Sequence, residues 1–319
     1  MSHQLYPKIT CNSHQFISVS EGRHQLYVEE SGNVEGIPVI YIHGGPGGGA
    51  SENHRRYFDP ELYHIFLFDQ RGCGRSTPSP SIEDNETATL VDDIEQIRLH
   101  FGIDKWLVTG GSWGTTLAMC YGIAHPDQCL GFILRGIFLG EQQEFDWLYG
   151  AQGVARFFPE YFRTFTEGIQ GQSSQAVLSH YFNVLTDSNE VAAVAASKNW
   201  YLWELRLSSL EHQFYHSAIE DPHQAHCMAL LSCHYFTNNC FLEENYIRNH
   251  LNIIEHIPSI IIHGRYDMVC QLEQAFDIAE LWKNASLQIL PQAGHSGFET
   301  QTIDAFCKAA DIMASFLKK

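Results

Sequence analysis

The sequence predicts an α/β fold, a mostly parallel sheet with helices on both faces. Three observations carry this. Six short apolar runs end in glycine or in charged, turn-prone residues. Segments with helical periodicity lie between them. A long aromatic region without strand-like runs interrupts the alternation once. Strands alternating with helices argue for a parallel sheet joined by right-handed crossovers.

The first runs are PVIYIHGG at 38–45 and HIFLFDQRG at 64–72. KWLVTGG at 105–111 and CLGFILRG at 129–136 follow. SIIIHGRYD at 259–267 and LQILPQAGH at 287–295 close the series. Unbroken β-branched and aromatic runs suit strands buried on both faces. Between them, residues 87–101 place Leu90, Val91, Ile94, Ile97 and Phe101 on one helical face. Residues 115–124 are compact and apolar and stop before Pro126. Residues 303–317 are amphipathic. The aromatic region between Phe138 and Arg248 includes Trp147, Phe157, Phe158, Trp200, Tyr201 and Trp203. It reads as a helical insertion over the C-terminal edge of the sheet, where open α/β sheets bind ligands. The chain is therefore expected to form a core from 1–138 and 247–319, with a helical cap at 139–246.

Composition narrows the function. The 319 residues carry 19 Lys plus Arg against 37 Asp plus Glu, a formal charge of −18. Such a chain repels nucleic acid and anionic membranes at long range. An acidic surface serves solubility and also attracts amine-bearing ligands. The first ten residues lack the apolar core of a secretory signal, and no run approaches the roughly 18 apolar residues of a membrane span. Nine cysteines make an odd set with no C-x-x-C pair. They suit reduced, mostly buried thiols in a cytoplasmic protein. The 18 histidines show no H-E-x-x-H, so neither a metal nor another cofactor is expected. Nothing in the sequence fixes an oligomeric state.

The chemistry concentrates at strand ends. Gly110-Gly111-Ser112-Trp113-Gly114 is a G-x-S-x-G element between a predicted strand and a predicted helix. That context suits a nucleophile elbow, where small residues two before and two after the serine permit a sharp turn. The helix beginning there points its positive end at the site. Asp267 and His295 each follow a later strand run, in the chain order serine, acid, histidine. A parallel sheet would bring all three to one edge. His295 would then take the Ser112 proton, with Asp267 orienting the imidazole. The loop HGGPGGGA after the 38–42 strand is rich in glycine, which lets backbone N–H groups approach an oxyanion. Gly45 and Trp113 are the expected donors. A phosphate loop is the competing reading, but the segment has no lysine and no G-K-[ST] ending.

Taken together, HGGPGGG, DQRGCGRS, GGSWGTTLA, LRGIF, RFFPE, HYFTNNCFL, HGRYDM and AGHS resemble the proline iminopeptidases of the α/β-hydrolase superfamily. The resemblance spans nearly the whole chain. It implies an α/β-hydrolase fold and a serine exopeptidase that releases N-terminal proline from short peptides through an acyl-enzyme. It also implies a pyrrolidine pocket between core and cap. Phe138, Tyr149 and Cys270 match its lining positions, although the aromatics also suit packing inside the cap. Glu204 matches a carboxylate that reads the free amine. Its neighbours, NWYLWEL, are too apolar for an ordinary exposed helix face.

The chain departs from this pattern at one place. A second amine-binding carboxylate is expected two residues before HYF, where this chain has Ser232. Ser232 is expected to touch the substrate amine there, accepting one hydrogen bond but bringing no charge, and Glu243 and Glu244 are the nearby candidates to compensate. A broader arylamidase or esterase is the alternative that Ser232 motivates. The complete set Ser112, Asp267 and His295 argues against a catalytically silent binding protein. The serine at the elbow argues against epoxide or haloalkane hydrolases, which use a carboxylate there. Asp69, Arg71 and Arg75 are expected to be scaffold, and Arg135 either braces the cap or touches substrate.

Overall fold

The computed structural model describes residues 4–210 and 221–318. The first three residues, Lys319 and the 211–220 part of the expected cap lie outside the described residues. The chain opens with an antiparallel pair, β1 (Ser13–Val19) and β2 (His24–Gly32), followed by β3 (Ile37–Ile42) and β4 (Tyr63–Phe68). Helix α1 (Thr87–His100), β5 (Trp106–Ser112), α2 (Trp113–Ala124) and β6 (Cys129–Ile137) continue the alternation. Among the described residues, six α-helices then precede the next strand. They are α3 (Gln142–Tyr149), α4 (Pro159–Phe165), α5 (Ser174–Thr186), α6 (Glu190–Ser208), α7 (Pro222–Thr237) and α8 (Tyr246–His250). Strand β7 (Ser259–Gly264), α9 (Leu272–Leu281), β8 (Ala285–Leu290) and α10 (Thr300–Leu317) complete the fold.

The eight strands form one sheet in the order β1-β2-β4-β3-β5-β6-β7-β8. Strands β3 to β8 run parallel; at one edge β2 pairs antiparallel with β4, and β1 pairs antiparallel with β2. All six apolar runs are strands, as the α/β reading requires. The β1–β2 hairpin does not share their signature because β2 carries Glu29 and Glu30 within its run. Glu29 is nevertheless buried, and Arg55 Nε holds it at 2.6 Å. A buried carboxylate is tolerated only when paired in this way.

Each sheet face is covered. Ile40, Ile42 and Val108 pack with Ile94, Leu117 and Ile278 from α1, α2 and α9. Val39, Leu107, Ile133 and Ile262 pack with Phe306, Ala310 and Met313 of α10. Burying a large apolar side chain contributes about 1.5–3 kcal/mol, so α10 is bound to the sheet by its apolar face. Helices α5, α6 and α7 pack on one another. Among the described residues, no helix is long and apolar enough to cross a membrane.

Candidate active site

Ser112 ends β5 with φ 57° and ψ −128°, outside the region that side-chain-bearing residues favour. Strain of this kind persists only where neighbours enforce it. A Cβ on Gly110 would stand 2.6 Å from Gly114 O, and one on Gly114 would collide with Ile42 O. The elbow therefore closes only with glycine at both places. Trp113 is the first residue of α2, so its N–H has no carbonyl one turn back to bond. Its indole N–H donates to Gln70 Oε1 at 2.9 Å, which anchors the elbow to the turn after β4.

The C-terminal ends of β7 and β8 bring Asp267 and His295 to the same edge. His295 Nδ1 lies 2.8 Å from Asp267 Oδ2, and both residues are buried. Asp267 Oδ1 accepts from the backbone N–H of Val269 and Cys270, at 3.0 and 2.8 Å. Burial alone would raise the Asp267 carboxyl, but the His295 imidazole and these hydrogen bonds hold it below its ordinary range. Asp267 is thus an anion, and an Nδ1–H on His295 leaves Nε2 free to act as a base. Gly136, at φ 63°, makes room for the pair: a Cβ there would lie 3.3 Å from His295 Cε1.

Two supporting residues complete this edge. His263 is buried at the end of β7. Its Nδ1 accepts from Ile137 N at 3.3 Å, and its Nε2 lies 2.9 Å from Cys270 O. Burial lowers its pKa, so it is a neutral spacer between β6 and the acid loop. Sequence reasoning missed it because a histidine within an apolar run looks like ordinary core. Arg135 lines the cavity and donates to the His295 carbonyl, so it braces the histidine loop from below.

The loop after β3 passes directly over the elbow. A Cβ on Gly44 would lie 3.2 Å from Ser112 Cβ, and Gly44 and Gly45 both line the cavity above Ser112. Asp69 fastens this loop by accepting from Ala50 N at 2.7 Å and from Arg75 Nε at 2.7 Å. Arg71 meets Asp93 through two hydrogen bonds, of 2.7 and 2.5 Å. These charged residues hold turns and do not face the cavity wall above Ser112.

That cavity has a volume of about 250 Å³ and contains Ser112, His295, Phe138, Tyr149 and Glu204 in its lining. Glu204 arrives on α6, whose Trp203 packs on Phe165 with ring centroids 5.2 Å apart. The Tyr149 hydroxyl donates to Glu204 Oε1 at 2.9 Å, and Tyr149 stacks on Trp200 at 4.8 Å. Burial pushes the Glu204 carboxyl up to about 7, against the Tyr149 hydrogen bond that favours its anion. Cys270 is buried, with Sγ 3.9 Å from Ser112 Oγ.

Ser232 requires a correction. It is fully buried, its hydroxyl donates to Pro46 O at 3.3 Å, and it does not line the cavity. Its position on α7 turns it onto the glycine loop instead of toward a substrate. Glu243 and Glu244 are exposed and do not reach the cavity either. Among the described residues, one convergence of metal-ligand atoms exists. Asp267, Cys270 and His295 lie within 4.8 Å of one another, but the carboxylate is already committed to His295 and two amides.

An elbow serine, an acid-bonded histidine and a glycine loop on this sheet define a serine hydrolase of the α/β-hydrolase class. The alpha/beta hydrolase fold family model matches residues 37–302. The chain is 43% identical over 309 residues to a proline iminopeptidase of Xylella fastidiosa, covering 96% of this chain and 98% of that one. It is 41% identical over 297 residues to a proline iminopeptidase of Neisseria meningitidis, covering 93% and 94%. Among solved structures, an esterase from Exiguobacterium antarcticum superimposes with a TM-score of 0.66 at 18% identity, covering 96% of this chain and 100% of that one, a likeness of fold alone. The chain belongs to the proline iminopeptidase family of α/β-hydrolases.

Proposed function

We propose that this protein is a serine exopeptidase that releases N-terminal proline from short peptides. The observation that carries the reading is the placement of Glu204 in the same cavity as Ser112 and His295. A carboxylate set within reach of an acylation site can hold the terminal ammonium and fix which carbonyl meets the nucleophile. Residues 139–246 supply Glu204 and Tyr149 and act as a cap on the core formed by 1–138 and 247–319. Phe138, Tyr149 and Phe236 give the cavity an apolar wall suited to a pyrrolidine ring. The reading places the protein in the cytoplasm, acting on peptides without a cofactor.

The chemistry runs in two halves. His295 Nε2 takes the Ser112 hydroxyl proton as Oγ attacks the carbonyl carbon of the N-terminal residue. The oxyanion is met by the backbone N–H of Gly45 and Trp113. Collapse breaks the C–N bond, and the proton on His295 goes to the leaving amine. Water then attacks the prolyl ester with His295 again as base, and collapse returns a proton to Ser112 and frees proline.

The test is kcat/KM on a proline anilide and on its N-acetylated twin, with Ser112→Ala as control. Hydrolysis of the free-amine form alone is expected. Comparable rates on both would replace this reading with the broader arylamidase or esterase, since Ser232 adds no amine contact. Activity surviving in Ser112→Ala would remove the mechanism.

A further inference from the structure

Among the described residues, the cavity lining carries a single carboxylate side chain, Glu204. An N-terminal proline carries a secondary ammonium with two N–H donors. Donors buried without partners are strongly unfavourable. Glu204 accepts the Tyr149 hydroxyl on Oε1; its remaining lone pairs lie in one carboxylate plane, whereas the two ammonium N–H bonds diverge tetrahedrally, so this carboxylate meets one of them well. Arg135 lines the cavity but has only donors. Ser232 lies outside the cavity, and the Ser208 hydroxyl donates to the backbone carbonyl of Glu204, which holds its oxygen against the backbone of α6.

Tyr201 remains. It precedes Glu204 by three residues on α6, so both side chains share one helical face. It lines the same cavity and is half-buried. Among the described residues its hydroxyl makes no hydrogen bond to protein. Burial, followed by the negative charges of Glu204 and Asp221, keeps the phenol protonated. The same negative field favours a cation beside it.

We infer that Tyr201 completes the amine site, its hydroxyl oxygen accepting the second N–H of the N-terminal secondary ammonium. One carboxylate oxygen and one phenol then match two donors. The inference rests on the exopeptidase reading and names how that site recognises its substrate without a second carboxylate.

The experiment compares Tyr201→Phe and Ser208→Ala with the unaltered protein. It measures KM and kcat on a proline anilide and the inhibition constant of L-prolinol, which carries the same ammonium but no scissile carbonyl. Tyr201→Phe should raise KM and the prolinol constant about 10- to 150-fold, the size of one hydrogen bond to a charged group. It should leave kcat within about twofold, whereas Ser208→Ala should leave all three within that range. Unchanged constants in Tyr201→Phe, or a fall in kcat at constant KM, would overturn the inference. So would an effect confined to Ser208→Ala. Failure of the unaltered protein to distinguish the anilide from its N-acetyl twin would instead remove the exopeptidase reading, which separates the two outcomes.

Discussion

At the residue scale, the proposed reaction runs between Ser112 and Glu204, which line one cavity. Ser112 is held at φ 57° by its glycine neighbours, so its side chain can be replaced without relaxing the turn. Ser112→Ala is expected to fold normally and to lose about 10⁴-fold or more of kcat, as loss of a nucleophile does elsewhere. A thermal melt beside a rate measurement checks both halves of that statement. Glu204 must be ionised to pair with an ammonium, and burial places its titration near 7. On the proline anilide, kcat/KM is therefore expected to rise as pH passes through about 7. Glu204→Gln should lower kcat/KM about 10- to 100-fold at pH 8 and lose that part of the rise. The effect on stability has the opposite sense. A carboxyl whose folded-state pKa stands above its ordinary 4.5 binds its proton more tightly when folded. Its contribution is complete below about 4.5 and is lost as pH rises through about 7. Glu204→Gln escapes that loss, so its melting temperature should gain on the unaltered protein between pH 5 and pH 8. Equal pH dependence of the two melting curves would mean that Glu204 titrates near its ordinary value.

The acid loop shows at the element scale how strands position chemistry. It leaves β7 at Gly264 and is fixed by Asp267 accepting two backbone amides and by His263 linking Ile137 N to Cys270 O. His263→Leu keeps the volume roughly but leaves two buried backbone groups unpaired. A loss of about 2–4 kcal/mol in a urea titration is expected, with kcat falling more than KM changes, because Asp267 rather than the substrate loses its support. An unchanged kcat would show that the two amides hold Asp267 alone. The same element explains what the sequence could reveal. Ser112, Asp267 and His295 were legible because each follows an unbroken apolar run, and parallel strands end together. His263 was not, because it sits inside such a run as any core histidine does. The β1–β2 hairpin escaped notice because Glu29 breaks the apolar pattern, its burial depending on Arg55 from a distant segment. Ser232 matches an amine-binding position through the resemblance, and a motif match gives no view of which partner a side chain meets. Only packing against the glycine loop decides that.

The net charge of −18 acts on every approaching peptide at the scale of the whole molecule. Among the described residues most acidic side chains are exposed or half-buried, so the excess is carried toward solvent, where salt screens it. The Debye length shrinks from about 30 Å at ~0.01 M salt to about 8 Å at ~0.15 M. A peptide beginning with proline and carrying lysines is attracted over the longer distance and released from that attraction at the shorter one. Its kcat/KM is expected to fall about 3- to 10-fold across this range, with the change in KM rather than kcat. The matching peptide with glutamates should show a flat or rising dependence, since screening removes repulsion instead. The Glu204 carboxylate lies inside the cavity beside Tyr149, so the proposed contact with an ammonium should be far less sensitive to salt than the long-range term. If both peptides respond alike, the acidic balance contributes nothing to substrate capture and serves solubility alone. A divergence that closes with added salt would instead assign the surface a role in selecting which proline-headed peptides reach Ser112.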